Sequence, residues 1–321
     1  MKACSMVVIS RCTLVGLALL SSTGCTKTFM VPAVPSPEVL YAQTATPSGG
    51  SLAVADARGA SDKPLNIGRL NVVLVGMSDE IVYLRQNLVR VLTQQGIPVV
   101  ENKSDAPDMT LEVRKFRIRN RRTSGFAPYI TFTTFSADLK KGGEVYRITS
   151  YFKNGKVPMW AFREVERPCY QAPIQALVQE VAAKINARVF GRIAPTATVN
   201  QLAARATAST AGAGSEEYFL ALELGYTNNP AAVAPLAGIV NGKGDSMMRA
   251  AAVSALGILR AKEQFQLLKR AYETDDDTVK FMALKSIGDL DTPESKAFIA
   301  SIRSSSAYEN DMVREVVDLY Q

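Results

Sequence analysis

The sequence contains no histidine and few cysteines, and these absences exclude several kinds of active site. Histidine, missing from all 321 positions, is the side chain that most often acts as general acid or base near neutral pH. A Ser-His-Asp or Cys-His triad is therefore impossible within this chain. The four cysteines, Cys4, Cys12, Cys25 and Cys169, form no cluster with ligand spacing, so we expect no zinc site. We accordingly predict a protein that is not an enzyme and that has no metal and no cofactor.

Hydrophobic residues make up 47% and charged residues 21% of the chain, a balance typical of folded proteins rather than disordered ones. A single core seldom grows beyond roughly 250 to 300 residues. The length of 321 residues therefore predicts two folded units. The formal net charge of +7 suits an anionic membrane surface but identifies no partner.

The N-terminus has no hydrophobic run of the ~20 residues that a membrane-spanning helix needs. Residues 1–24 instead carry Lys2 and Arg11, an apolar run over residues 12–20, and small residues directly before Cys25. This order of charged, apolar and small segments is that of a cleaved export signal. We therefore predict that residues 1–24 form a signal peptide.

The end of this segment resembles the lipobox of bacterial lipoproteins, in which Leu, a small residue and Gly or Ala precede a lipidated Cys. Here Gly24 precedes Cys25, Ser22 stands where Leu is usual, and Leu20 lies two residues earlier. The resemblance implies a membrane anchor of fatty acids such as palmitate on Cys25. Thr26 at the second mature position, rather than Asp, implies an outer-membrane location facing the periplasm. The alternative is ordinary cleavage nearby, which leaves Cys25 as a free thiol.

Loss of the signal and acylation of Cys25 would leave Cys169 as the single free thiol. No intrachain disulfide is then expected, even in an oxidising compartment. We predict that Cys169 is a buried, inert thiol, and the alternative is an intermolecular disulfide or a reactive site.

Residues 25–64 are predicted to form a flexible tether. Pro, Ser, Thr, Ala and Gly dominate this segment, and its apolar residues have no sustained period, as in disordered linkers. A flexible chain of roughly 38 residues reaches about 35 Å on average. The folded part of the protein is therefore expected to stand away from the bilayer.

Residues 65–192 are predicted to form an α+β domain, with two helices on one face of a mostly antiparallel sheet. A β-branched run over Leu70–Val75 predicts a buried strand, and helical spacing of apolar residues predicts a helix between Asp79 and Gly96. A second apolar stripe predicts a helix over residues 174–190. Further strands, two of them joined by a turn at Gly142-Gly143, are predicted over Ile97–Val100, Met109–Ile118, Tyr129–Leu139 and Val145–Phe152. In outline the domain resembles small α+β modules of envelope lipoproteins, but no motif in it identifies a family.

Residues 193–214 are rich in Ala, Thr and Ser and are predicted to form a linker, with a helix over Val199–Ala208 as the alternative.

After this segment the sequence repeats itself. The stretch from Asp245 to Gly257 aligns with that from Asp276 to Gly288 at a spacing of 31 residues. The aligned pairs include Asp245 with Asp276, Arg249 with Lys280, Ala252 with Ala283, and Gly257 with Gly288.

This pattern resembles short HEAT-like repeats, helical hairpins of about 30 residues whose second helix begins Asp-x-x-Val-Arg-x-x-Ala. The resemblance covers residues 215–321 and implies an all-α HEAT-like repeat domain. In such a unit Asp caps the helix, Ala permits close helix crossings and the final Gly permits a left-handed C-cap. Arg249 and Lys280 are expected to pair with acids of the adjacent unit. The alternative is a set of ordinary Ala-rich hairpins. First helices of the hairpins are predicted over Ala231–Val240, Lys262–Tyr272 and Pro293–Ile302.

The densest group of charges is basic and lies on a predicted strand over residues 114–122. Arg117, Arg119 and Arg121 alternate there with Phe116 and Ile118. Strand geometry places the three guanidinium groups on one face, where they are a candidate site for the phosphates of lipid A or another anionic lipid. The alternative is a solvated basic face that discourages aggregation at a sheet edge.

These observations predict a lipid-anchored envelope scaffold or adaptor that binds an envelope protein partner and does not bind nucleic acid. One alternative is an anionic-lipid binding protein centred on residues 114–122. The other is an envelope hydrolase that acts through carboxylates alone, against which the absence of histidine counts.

Overall fold

The computed structural model describes residues 26–42, 49–102, 106–124, 127–209 and 216–321. The predicted signal peptide and its neighbour Cys25 lie outside the described residues. In the part that is described, a mixed sheet with helices is followed by an all-helical stack. The predicted fold class, an α+β domain followed by HEAT-like repeats, is confirmed.

The strands are β1 (Lys27–Met30), β2 (Gly50–Asp56), β3 (Asn66–Gly68), β4 (Val72–Val75), β5 (Val99–Glu101), β6 (Met109–Arg121), β7 (Tyr129–Lys141) and β8 (Glu144–Lys156). The main sheet has the order β5-β2-β6-β7-β8, and β3 also pairs with β6. β6, β7 and β8 are long and antiparallel, whereas β2, β3 and β5 add parallel pairs. β4, predicted as part of this sheet, pairs instead with β1 in a separate parallel ribbon.

The helices are α1 (Glu80–Gln94), α2 (Ala172–Ile185), α3 (Thr196–Ala208), α4 (Phe219–Tyr226), α5 (Val233–Asn241), α6 (Ser246–Ile258), α7 (Phe265–Thr274), α8 (Asp277–Leu290), α9 (Pro293–Arg303) and α10 (Asp311–Val317). α1 begins where the Asp79 carboxylate accepts hydrogen bonds from the backbone of Ile81 and Val82. It packs on β2 and β5, while α2 packs on β7 and β8, and the two helices touch. Both predicted helices therefore cover the sheet side by side.

The predicted flexible tether over residues 25–64 is wrong where the structure describes it. β1 and β2 each pair with strands of the domain, and residues 31–42 contribute buried side chains and a hydrogen bond from the Val34 N–H to the Asn87 side chain. The side chains of Phe29 in β1 and of Val31, Val34, Val39 and Tyr41 after it are buried. These apolar residues show no helical or strand period in the sequence, although the folded domain buries each of them. The expected reach of about 35 Å therefore does not apply.

The C-terminal helices form two layers of hairpins. α4, α6, α8 and α10 follow one another in the inner layer, and α3, α5, α7 and α9 pack outside them. The three predicted first helices correspond to α5, α7 and α9. The segment predicted as a linker over residues 193–214 is helical from Thr196 to Ala208, and this helix, α3, begins the stack by packing on α4.

Three repeated glycines have a different role from the one predicted. Gly225, Gly257 and Gly288 lie inside the inner helices, and left-handed backbone occurs three residues later in each unit, at Asn228, Arg260 and Asp291. A Cβ on Gly225 would lie 2.8 Å from the Cα of Ala255, and one on Gly257 would lie 2.7 Å from the Cα of Ser286. The predicted C-cap role of Gly257 and Gly288 is therefore wrong, because the helices continue past them. The glycines instead permit close approach of the next element.

Candidate functional site at the domain junction

The polar residues of the repeat motif make structural contacts. Asp245 caps α6 by accepting a hydrogen bond of 2.8 Å from the backbone N–H of Met247. Arg249 donates to Asp275 of the following hairpin over 2.8 Å. Lys280 was expected to pair with an acid of the adjacent unit. Its Nζ instead makes a cation–π contact, 5.3 Å from the centre of the Tyr272 ring.

The predicted basic row lies on one face of β6, but two of its three members face other parts of the protein. Arg117 donates to Asp62 over 2.7 Å. Arg119 donates to Glu315 of α10 over 2.6 Å. Only Arg121 is largely exposed to solvent. The row therefore contributes to the contact between sheet and repeats and does not offer three guanidinium groups to one anion.

A buried cluster of four charged side chains joins the two domains. Glu180 and Lys184 come from α2, and Lys285 and Asp289 come from α8. The Nζ of Lys184 lies 2.8 Å from both the Glu180 and the Asp289 carboxylates. The Nζ of Lys285 lies 2.9 Å from Asp289 and also contacts Glu180. We call this group the junction quartet. Its two positive and two negative charges balance.

The hydrogen bonds of the junction quartet extend into the sheet. Thr149 of β8 donates its hydroxyl to Asp289 over 2.8 Å, and its carbonyl accepts from Lys184 over 2.7 Å. Ser150, the next residue, donates to Glu180 over 2.7 Å. Buried charges are tolerated when they are paired and hydrogen-bonded in this way. The two domains are thus held by a fully partnered polar contact.

Electrostatics at the junction favours the ionised form of Asp289. Burial alone would raise the pKa of this carboxyl, but the ammonium groups of Lys184 and Lys285 outweigh burial and lower its pKa to about 2. Beside it, burial and the Asp289 charge raise the pKa of Tyr320 well above its usual value. The tyrosine hydroxyl, 3.0 Å from Asp289, therefore stays protonated.

A cleft of about 730 Å³ opens beside the junction quartet. One wall is the edge strand β8 with the end of α2, and the other is formed by α8, α9 and the turn after α10. Lys184 and Asp289 of the junction quartet also line it. Its volume falls in the range of about 300–1,000 Å³ that is typical of small-molecule sites. We therefore treat this cleft as the candidate functional site.

The cleft has a surplus of positive charge around one carboxylate. Asp291 lies 2.9 Å from Arg188, 2.8 Å from Lys296 and 3.6 Å from Arg260. Burial would raise the pKa of Asp291, but Lys296 and Arg188 outweigh it and lower the pKa. Arg303 also lines the cleft, and it is exposed. One acid thus faces several cations.

Cys169 is buried and forms no disulfide with any residue that the structure describes. The prediction of a structural thiol requires this. Burial raises the pKa of its thiol to about 12, against a smaller opposing effect of the Thr131 hydrogen bond. A thiol of this kind is almost wholly protonated near neutral pH and is a poor nucleophile. Cys169 therefore contributes to packing, and its thiol has low reactivity in the folded protein.

The described ranges contain neither a metal site of acidic or cysteine side chains nor a membrane-spanning helix. No group of three or more acidic or cysteine side chains there is arranged to hold a metal ion. None of the described helices combines the length and the apolar character needed to cross a bilayer.

Comparison with known proteins supports the repeat domain. Residues 215–288 match the model of a family described as HEAT repeats, which are protein-interaction scaffolds. No curated protein matches the chain. A solved structure titled "Crystal structure of uncharacterized protein" is 16% identical over 49% of this chain and 95% of that chain, with a TM-score of 0.30. That score is too low to indicate a shared fold.

Proposed function

We propose that this protein is a lipid-anchored scaffold of the bacterial cell envelope, attached to a membrane through Cys25 and binding another envelope protein through its repeats. The export signal with its lipobox supports the anchor, and the HEAT repeats over residues 215–288 support the scaffold. Thr26 after the acylated cysteine favours the outer membrane, with the protein facing the periplasm. No catalytic step is part of this proposal.

The observation that carries the proposal is the short distance along the chain between Cys25 and the folded domain. Lys27, two residues later, already lies in β1. Its Nζ lies 4.7 Å from the centre of the Phe162 ring, and the nearby Trp160 is 87% exposed. Tryptophan favours the interface between water and lipid. An acyl chain on Cys25 would hold this side of the domain against the bilayer, where the exposed indole finds a suitable environment.

The anchor is tested by metabolic labelling of the full chain with an alkyne fatty acid. We expect the label on the wild-type protein and its loss in Cys25→Ala, together with loss of the protein from the membrane fraction. Equal labelling of both proteins, or no labelling of either, would contradict the anchor. Cys169→Ala is the matched control, since it removes a buried thiol without touching the lipobox.

Trp160 provides a second readout because it is the only tryptophan of the chain. In vesicles that contain brominated lipids, we expect its fluorescence to be quenched in the lipidated protein. Cys25→Ala, which has the same tryptophan without the anchor, should not be quenched at the same lipid concentration. Equal fluorescence of the lipidated protein with and without bromine would show that Trp160 does not face the bilayer.

The scaffold is tested by a photocrosslinking amino acid at Arg270, on the exposed side of α7, and at Glu144, on the β7–β8 hairpin. Both side chains are exposed, so they are matched in accessibility. We expect one discrete protein adduct from position 270 in living cells and none from position 144. The absence of an adduct at 270, or the same set of adducts from both positions, would argue against a partner on the repeats.

A further inference from the structure

The cleft beside the junction quartet has the composition of a binding site. Its charged end is formed by residues that converge from three elements: Arg188 follows α2, Arg260 follows α6, and Lys296 lies in α9. These three cations share Asp291. The exposed Arg303 makes no ion pair with any residue that the structure describes. At the charged end, three cations therefore surround one carboxylate, and Arg303 adds a further positive charge to the lining of the cleft.

Arg260 shows this imbalance most clearly. Its Nε is buried and has no hydrogen-bond partner within the described ranges. Burial and the neighbouring Arg188 lower the pKa of its guanidinium group. Its backbone is left-handed, with φ of 52°, a conformation that costs a non-glycine residue roughly 1–3 kcal/mol. The Arg260 side chain is nevertheless 30% exposed, and an anion placed beside it would accept from the exposed part of the guanidinium group and reduce the repulsion between the two arginines.

Apolar side chains also line the cleft. The rings and aliphatic side chains of Tyr146, Ile258, Ile299 and Val317 line it. Tyr146 is continuous with the charged end, because the Arg188 guanidinium lies 5.2 Å from the centre of its ring. A ligand that matches both parts has an anionic group at one end and an apolar chain at the other.

We propose that this cleft binds an amphiphilic anion, a carboxylate or phosphate monoester with a single apolar chain. The anionic group lies among Arg188, Arg260 and Lys296, and guanidinium forks bind such groups in a bidentate manner. The apolar chain lies on Tyr146 and Ile299, which are both partly exposed in the cleft. The site is separate from β6 and does not depend on the lipid anchor.

The test uses the full chain with Cys25→Ala, which excludes the native acyl group as a competitor. Isothermal titration with octyl phosphate, below the concentration at which it aggregates, should give one binding site. Octanoate should bind as well if the site accepts either anion, whereas binding of octyl phosphate alone would identify a phosphate site. Octanol has only the apolar chain and inorganic phosphate has only the anionic group. Each should therefore bind at least tenfold more weakly than octyl phosphate. Equal affinity for octanol, or for inorganic phosphate, would overturn the proposal.

Variants locate the site. Arg260→Gln should weaken octyl phosphate binding about tenfold or more, since a charge-assisted hydrogen bond contributes about 1.5–3 kcal/mol. Arg303→Gln, at an exposed position where folding is not at risk, should also weaken binding, by a smaller factor. The matched control is Arg205→Gln, which removes a surface cation paired with Glu38 far from the cleft and should leave binding unchanged. Unchanged affinity in both cleft variants, or the same loss in the control, would place the ligand elsewhere and refute the assignment.

Discussion

Substitution of Gly257 by alanine gives a direct test of how the inner helices meet. The glycine lies inside α6, and an added Cβ would stand 2.7 Å from the Cα and 2.8 Å from the Cβ of Ser286 in α8. Both atoms belong to the helix itself or are attached to it directly, so no flexible side chain can move aside. The two helices must separate for the methyl group to fit. Gly238 is the matched control, because it also lies in a helix, α5, and nothing stands within 4 Å of its added Cβ.

The expected magnitude has two parts. Alanine is favoured over glycine in a helix interior by about 0.8–1.0 kcal/mol, and this gain applies in full at position 238 and at most in full at position 257, the last residue but one of α6. An additional methyl group in a packed core costs about 1–3 kcal/mol, and this cost applies only at position 257. Gly238→Ala should therefore raise the free energy of unfolding by about 1 kcal/mol. Gly257→Ala should lie about 1–3 kcal/mol below that control.

The measurement is urea unfolding of both full-length variants and the wild type, followed by circular dichroism. A difference in midpoint with an unchanged slope reports stability alone. If Gly257→Ala stabilised the protein as much as Gly238→Ala, the steric cost would be absent. The close approach of α6 and α8 would then be wrong.

Three further predictions concern buried ionisable groups. Asp289→Asn leaves two buried ammonium groups against one carboxylate and should lower the free energy of unfolding by about 3–5 kcal/mol in urea. Glu273→Gln, in an exposed pair with Lys269, should change the free energy of unfolding by at most about 0.5 kcal/mol. Similar effects of the two substitutions would contradict a stabilising role of the junction quartet. The pKa of Asp289 is lowered to about 2, so its contribution to stability is present above its unfolded pKa of roughly 3.9 and is lost as the pH falls towards 2. The free energy of unfolding should therefore decrease less steeply with falling pH in Asp289→Asn than in the wild type. Cys169, whose thiol pKa is raised by burial to about 12, should resist alkylation at pH 8 until the chain unfolds, as peptide mapping can test, and rapid labelling of the native protein would contradict its burial.

The parts of the fold that depend on neighbouring residues were predictable. Asp245 and Asp276 mark helix starts because a carboxylate satisfies the free N–H groups of the first turn, whatever the rest of the protein does. Apolar residues at helical spacing likewise identified α1, α2 and the outer helices α5, α7 and α9. These signals are local and survive without knowledge of the tertiary structure.

The N-terminal strands were missed for a physical reason. β1 has only four residues and β2 has seven, and each forms its pairs with strands far away in the sequence. Val34 illustrates the difficulty, since its N–H donates to the Asn87 side chain, 53 residues later. Burial there is decided by the shape of the domain and not by the composition of the segment, which is that of a linker.

The sequence indicates the two charged pairs of the junction quartet but not that they meet. Glu180 and Lys184 interrupt an apolar helix at a spacing of four residues, as Lys285 and Asp289 do in another. Charges on an apolar face indicate paired burial, so each pair was detectable. Their meeting was not, because the contact between Lys285 and Glu180 spans 105 residues.

The position of the cleft follows from the way the repeat series ends. At Gly225 and Gly257 the close neighbour is the next inner helix, through Ala255 and Ser286, but at Gly288 it is the ring of Tyr320 in the turn after α10. α10 is short, with seven residues, so it covers only part of α8. The remaining surface of α8 is left between the sheet edge and α9, and this space is the cleft. Because Arg188, which follows α2, pairs with Asp291, which follows α8, an anion bound at Arg188 would compete with a contact between the sheet domain and the repeats.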